Sequence, residues 1–144
     1  MRRIFVLFPL YVLLLGCQDL ANENSPGQSA ATSKKGYTFG EAIVTTISNQ
    51  TAKTIFLHTC CGPDPGYAVD RFESGTWTEY ERNGNPCLRM CIGPPPILVR
   101  PYQNYEIRLT PGVDRIGTYR FRFLFSPDEG ANAQELASNS FVVN

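Results

Sequence analysis

Tyr119-Arg120-Phe121-Arg122-Phe123-Leu124-Phe125 carries an aromatic ring at every second position, with both arginines in between. Successive side chains of a strand point to opposite faces, so this spacing lines one face with rings and puts the arginines on the other. It predicts a strand whose ring face meets a core and whose Arg120 and Arg122 face water. Tyr105-Glu106-Ile107-Arg108-Leu109-Thr110 repeats the alternation. Weaker runs occur at Glu41 to Ser48, Lys53 to Thr59, Ala68 to Glu73, Trp77 to Tyr80, Ile97 to Arg100 and Ser140 to Val143. Between them stand turn residues such as Asn49-Gln50-Thr51, Glu73-Ser74-Gly75-Thr76, Asn83-Gly84-Asn85, Pro111-Gly112 and Pro127-Asp128-Glu129-Gly130. Helical periodicity is almost absent. About eight short strands at this spacing predict an all-β fold, a sandwich of two antiparallel sheets spanning residues 37–144.

N-terminal to that domain the composition changes. Residues 17–36 hold a single large aliphatic side chain, Leu20, among small and polar residues, and read as a flexible linker that buries too little to order itself. Before it, Met1-Arg2-Arg3 and the apolar run Ile4 to Leu15 have the build of a secretory signal, residues 1–16. The run falls short of the roughly 20 residues that a membrane-spanning helix needs.

Leu14-Leu15-Gly16-Cys17 closes that signal and resembles the lipobox of bacterial lipoproteins. The resemblance implies cleavage just after Gly16 and a diacylglyceryl group on the sulfur of Cys17, which becomes the acylated N-terminus. Two or three acyl chains of the palmitate type hold a protein stably where one holds it only reversibly. Gln18, where an aspartate would retain a Gram-negative lipoprotein at the inner membrane, implies the outer membrane, with Asp19 next to it as a possible modifier of sorting. Location is thus a bacterial cell envelope, on the periplasmic or surface face, and the membrane is the first partner.

The motif order of the domain resembles the bacterial immunoglobulin-like domains of secreted lipoproteins. Ile47 to Ile55 matches a first hairpin, Val69 to Trp77 a second, and Gly117-Thr118-Tyr119-Arg120-Phe121 the start of the penultimate strand, where the tyrosine resembles a tyrosine corner. Phe121 stands where antibody domains carry their second cysteine, so the inter-sheet disulfide of those domains is not expected.

With Cys17 acylated, Cys60, Cys61, Cys87 and Cys91 remain, an even number in an oxidising compartment, which points to two disulfides. Cys60 and Cys61 are poorly placed to join each other, because adjacent Cα atoms lie about 3.8 Å apart and a disulfide prefers about 5.5 Å. Each is expected to bond one of Cys87 and Cys91, in either pairing. A four-thiolate metal site and a redox pair are the alternatives. A Cys-Cys dipeptide is an awkward half of the first, and the second lacks the Cys-x-x-Cys motif in a strand and helix alternation. No metal or other cofactor is expected.

Catalytic constellations are not evident. His58 is the only histidine and reads as a solvent-side residue; no Gly-x-Ser-x-Gly occurs; Glu79 and Glu81 share a strand face but read as a solvated edge. Asn49-Gln50-Thr51 matches a glycosylation sequon and reads as a turn. Leaving out Arg2 and Arg3, 11 basic residues face 13 acidic ones, and the basic residues are scattered, which excludes a nucleic-acid stripe. What remains is a surface. The two cysteine segments, rich in proline, present Tyr67, Leu88, Arg89, Met90 and Ile92 as a candidate binding surface. The expected function is that of a lipid-anchored binding or accessory module for another envelope protein, without catalysis. The alternative is a small β-sandwich proteinase inhibitor using the braced, proline-rich loop.

Overall fold

The computed structural model describes residues 27–59, 62–82 and 95–144. Among the described residues eleven strands run in the order β1 (Gln28–Thr32), β2 (Gly36–Tyr37), β3 (Ile43–Asn49), β4 (Ile55–Leu57), β5 (Tyr67–Glu73), β6 (Thr76–Arg82), β7 (Ile97–Val99), β8 (Asn104–Leu109), β9 (Gly117–Ser126), β10 (Gln134–Ala137) and β11 (Phe141–Val143). No helix occurs among the described residues. All eight expected strands are present, and β1, β2 and β10 are additional.

A small sheet has the order β1-β3-β8, and every other strand belongs to a second sheet centred on β9. The sheets share one core. Ala30, Ile43, Ile47, Ile107 and Leu109 line it from the small sheet, and Ile55, Leu57, Val69, Val99, Tyr119, Phe121, Phe123, Phe125, Phe141 and Val143 from the large one. The four rings of β9 are fully buried, as their period-two spacing requires. Edge-to-face contacts knit the core rings: Tyr67 to Phe121 at 5.5 Å and Tyr37 to Phe141 at 5.7 Å between centroids. The architecture is a two-layer β-sandwich whose small sheet is antiparallel and whose large sheet is mixed, because β2 lies parallel to β11.

The large sheet contains strands broken in mid-course. β4 and β5 both lie antiparallel to β9 along one of its edges, with Leu57 opposite Phe125 and Tyr67 opposite Phe123. The chain between them leaves the ladder and returns, closed by a Gly66 N–H to His58 carbonyl bond of 2.9 Å and a Thr59 to Pro65 bridge. β6 and β7 form the next rank outward, pairing with β5 and β4 respectively. Across β9, β10 and β11 are likewise one line interrupted at Ser138. There the Ser138 Oγ accepts the Phe121 N–H at 2.9 Å, in place of a backbone carbonyl.

The boundary expected at residue 37 is corrected. Gln28–Thr32, placed in the linker by composition, pairs residue for residue with β3, from Gln28 opposite Asn49 to Thr32 opposite Thr45. Asn139 adds side-chain bonds to Thr32, its Oδ1 accepting the Thr32 N–H at 2.7 Å. The chain then crosses to the large sheet as β2. Among the described residues, ordered strand structure thus begins at Gln28, not at Tyr37.

Turn chemistry follows from local residues. Ser74 and Gly75 both have positive φ, 50° and 85°, as a two-residue type I′ hairpin demands. The Tyr119 hydroxyl donates to the Arg115 carbonyl at 2.6 Å, the tie of a tyrosine corner. Gly117 leaves room for a neighbour: a Cβ there would lie 2.9 Å from Nε of Arg71 and would displace that side chain.

Candidate functional site

Cys17, Cys60, Cys61, Cys87, Cys91, Leu88, Arg89, Met90 and Ile92 lie outside the described residues. Tyr67, expected on the exposed surface, is 9 % exposed, and its ring packs edge-on against Phe121. It begins β5 on the core side, so its aromatic bulk supports the sandwich and the expectation of a surface role is withdrawn. The described residues that border the cysteine segments are neighbours across two ranks. Leu57 pairs with Ile97, and Ala68 pairs with Arg82.

Beside these borders a cleft of about 260 Å³ opens on the outer face of the large sheet, lined chiefly by Phe56, His58, Pro96, Ser126, Asp128 and Glu129. Phe56 and His58 alternate with the buried Ile55 and Leu57, which turns them outward. Leu98, directly opposite Phe56, is 59 % exposed and forms an apolar shoulder, and Leu124 of β9 adds another exposed side chain on this face. Lys53 pairs with Asp128 at 3.0 Å on the rim, an exposed pair of little energetic weight.

His58, outward-facing and next to a loop as expected, also makes a long-range contact. Its Nε2 lies 2.7 Å from the Ser126 hydroxyl, and that hydroxyl donates to the Ala131 carbonyl at 3.0 Å. The Ser126 hydroxyl thus sits between the imidazole and the Ala131 carbonyl, and the tautomer of His58 sets which of the two side chains donates. The pair clamps the connection after β9 to the end of β4. Ser126 carried no sequence signal, since 68 residues separate it from His58.

Toward the other end of the same outer face lies an ionic knot. Asp70 of β5, with its side chain only 4 % exposed, accepts from Nε of Arg120 at 3.1 Å and from Nε and Nη2 of Arg122, each at 3.1 Å. Arg122 reaches on to Glu79 at 2.8 Å and to Glu135. Burial would lower its pKa, but the hydrogen bonds it donates to Asp70 and Glu135 outweigh that and raise it. Arg120 stacks on Trp77, 4.6 Å from the ring centroid. The two arginines expected in water therefore have side chains only 18 % and 20 % exposed, because Asp70, Glu79 and Trp77 from neighbouring strands cover them. Glu79, expected at a solvated edge, is part of this knot. The sequon asparagine, Asn49, sits at a turn, as expected, and is fully buried there: its Oδ1 accepts the Thr51 N–H at 3.1 Å, and its Nδ2 donates to the carbonyls of Lys53, Val99 and Arg100 at 2.7, 2.9 and 3.1 Å.

No family model matches this chain, and no curated protein matches it. Among solved structures it is similar to the Pseudomonas fluorescens alkylpurine DNA glycosylase AlkC bound to DNA containing an abasic site analog. The identity is 12 %, over 84 % of this chain and 31 % of the glycosylase, with a TM-score of 0.38. It is also similar to the ASH / PapD-like domain 7 of human CEP192, at 14 % identity over 100 % of this chain and 96 % of that domain, with a TM-score of 0.32. The chain spans about a third of the glycosylase's length. Neither likeness is close enough to transfer a ligand or a partner.

Proposed function

We propose that this chain is a lipid-anchored protein of a bacterial cell envelope, held in the outer membrane through Cys17, whose immunoglobulin-like sandwich binds another envelope protein and performs no catalysis. The observation that carries the anchoring is the Leu14-Leu15-Gly16-Cys17 sequence behind a short apolar signal. The binding reading is supported by the cleft at Phe56 and His58 with its exposed shoulders, Leu98 and Leu124. The absence of catalysis is supported by the sequence, which has no Gly-x-Ser-x-Gly nucleophile turn and a single histidine.

Cys60 and Cys61 each bond one of Cys87 and Cys91 in this reading. Its support is that described residues flanking the two segments pair with each other, Leu57 with Ile97 and Ala68 with Arg82. The intact domain then has a mass about 4 Da below that of the reduced chain, two hydrogens for each bond.

Metabolic labelling with a radiolabelled fatty acid tests the anchor: wild type takes up label and Cys17→Ser does not. Equal labelling overturns it. For binding, the chain is cross-linked in envelope membranes as wild type and as Leu98→Asp. A neighbour captured by the first and lost with the second is the expected result. Capture unaffected by Leu98→Asp removes the cleft from the interface. Tight inhibition in a protease panel replaces the module reading with that of a proteinase inhibitor.

A further inference from the structure

We infer that the end of the sandwich from which the N-terminal segment emerges rests on the phospholipid surface, with Tyr102 and Arg100 at the headgroup level; this rests on the anchoring reading above. Eleven peptide units lead from Cys17 to Gln28, the first residue of β1. Whatever its conformation, such a run spans at most about 40 Å. The correction of the domain boundary therefore shortens the reach of the anchor, and it also fixes where the anchor enters.

That entry point shares one hub with a turn. Asn49 lies opposite Gln28, the Gln50 N–H donates to the Gly27 carbonyl at 2.7 Å, and the Asn49 N–H donates to the Gln103 carbonyl at 2.9 Å. The Asn49 side chain holds the Arg100 carbonyl as well. Arg100 to Gln103 close a tight turn, with the Gln103 N–H on the Arg100 carbonyl at 3.2 Å. Pro101 takes its second position and Tyr102 its third, at φ 57°. A positive φ at the third position belongs to a type II turn, where glycine is the residue that fits without strain.

Here the chain places a large aromatic side chain in the left-handed region and leaves it 67 % exposed. Its ring makes none of the aromatic contacts that hold the other tyrosines of the core. Strained, non-glycine backbone in an exposed position points to use of the side chain it presents. A tyrosine with an apolar body and a polar tip is the side chain favoured where hydrocarbon meets headgroups, and the exposed Arg100 beside it complements anionic lipid.

The opposite end supplies the control. Ile116 precedes β9, whose ten residues extend about 30 Å from it toward Ser126. Ile116 is 66 % exposed, matching Tyr102 in exposure while differing in position.

The test uses the full, acylated chain reconstituted into vesicles of phosphatidylethanolamine and phosphatidylglycerol carrying brominated acyl chains. Flotation of the vesicles reports anchoring. Tryptophan fluorescence reports contact, in wild type, whose only tryptophan is Trp77, and in Tyr102→Trp and Ile116→Trp. The expected result is that all three float, that the emission added by Tyr102→Trp falls at least about twofold with bromination, and that the emission of Trp77 and of Ile116→Trp does not. Flotation with no quenching of Tyr102→Trp overturns the bilayer contact and leaves the anchor standing. Equal quenching of both variants overturns the orientation. Failure of the wild type to float overturns both readings.

Discussion

The two faces of β9 obey the same alternation and are stabilised by different physics. Inward, Tyr119, Phe121, Phe123 and Phe125 are sealed among apolar side chains of both sheets. Outward, Arg120 and Arg122 are almost as well covered, but by Asp70, Glu79, Glu135 and the face of Trp77. Period two tells which residues share a side. It does not tell what the neighbouring strands lay over that side, and an alternating strand with charges on one face is therefore not proof that the face is wet.

The sharpest way to break this comparison is to remove one ring. Phe123→Ala leaves a cavity in the centre of the core and is expected to cost about 3 to 5 kcal/mol, which nearly unfolds a domain of this size. A urea melt of the variant with a midpoint equal to that of wild type would mean that the inner face is not the main source of stability. On the outer face, Asp70→Ala should cost about 3 kcal/mol, because it strands two mostly covered guanidinium groups without their shared carboxylate. The same melt checks it, and a loss under about 0.5 kcal/mol would return both arginines to the ordinary surface class.

Tyr119→Phe probes the boundary between the faces. It keeps the buried ring and removes only the hydroxyl that donates to the Arg115 carbonyl, so a loss of about 1 kcal/mol is expected by thermal or urea denaturation. The smallest effect lies just before β9. Asp114 accepts a hydrogen bond from the Tyr80 hydroxyl, which holds its carboxyl below the ordinary aspartate value. Its contribution is present above the unfolded pKa and is lost as pH falls through the lowered folded pKa. Carboxyl chemical shifts followed in acid should titrate lower in wild type than in Tyr80→Phe, and identical titrations would remove the bond.

Legibility in the sequence tracked side-chain size and chain separation. The rings of β9, the alternation of β8, the Ser74-Gly75 turn and the tyrosine at the corner were readable because each is a local pattern of residues with strong preferences. β1 was not. Gln28-Ser29-Ala30-Ala31-Thr32 has no large apolar side chain, and its order comes from the ladder to β3 and from Asn139, 107 residues away from Thr32. The site was harder still. His58 was visible as a lone histidine, but Ser126 and the connection that it ties down come from the far side of β9, and the outward turn of Phe56 and Leu98 depends on which strands pair. Tyr67 failed in the opposite sense: its place next to a proline-rich segment suggested exposure, while its register against Phe123 sends it into the core.

The docking of β1 also determines how the molecule bears load. A pull from the N-terminal side that is directed along β1 would load its rungs to β3 across the direction of force, so that they yield together rather than one at a time. Asn139, gripping Thr32 at the far end of that strand, acts as a second rivet into the large sheet. A strand made of five small and polar residues thereby serves as the domain's mechanical clamp, peeling only when both sheets release it.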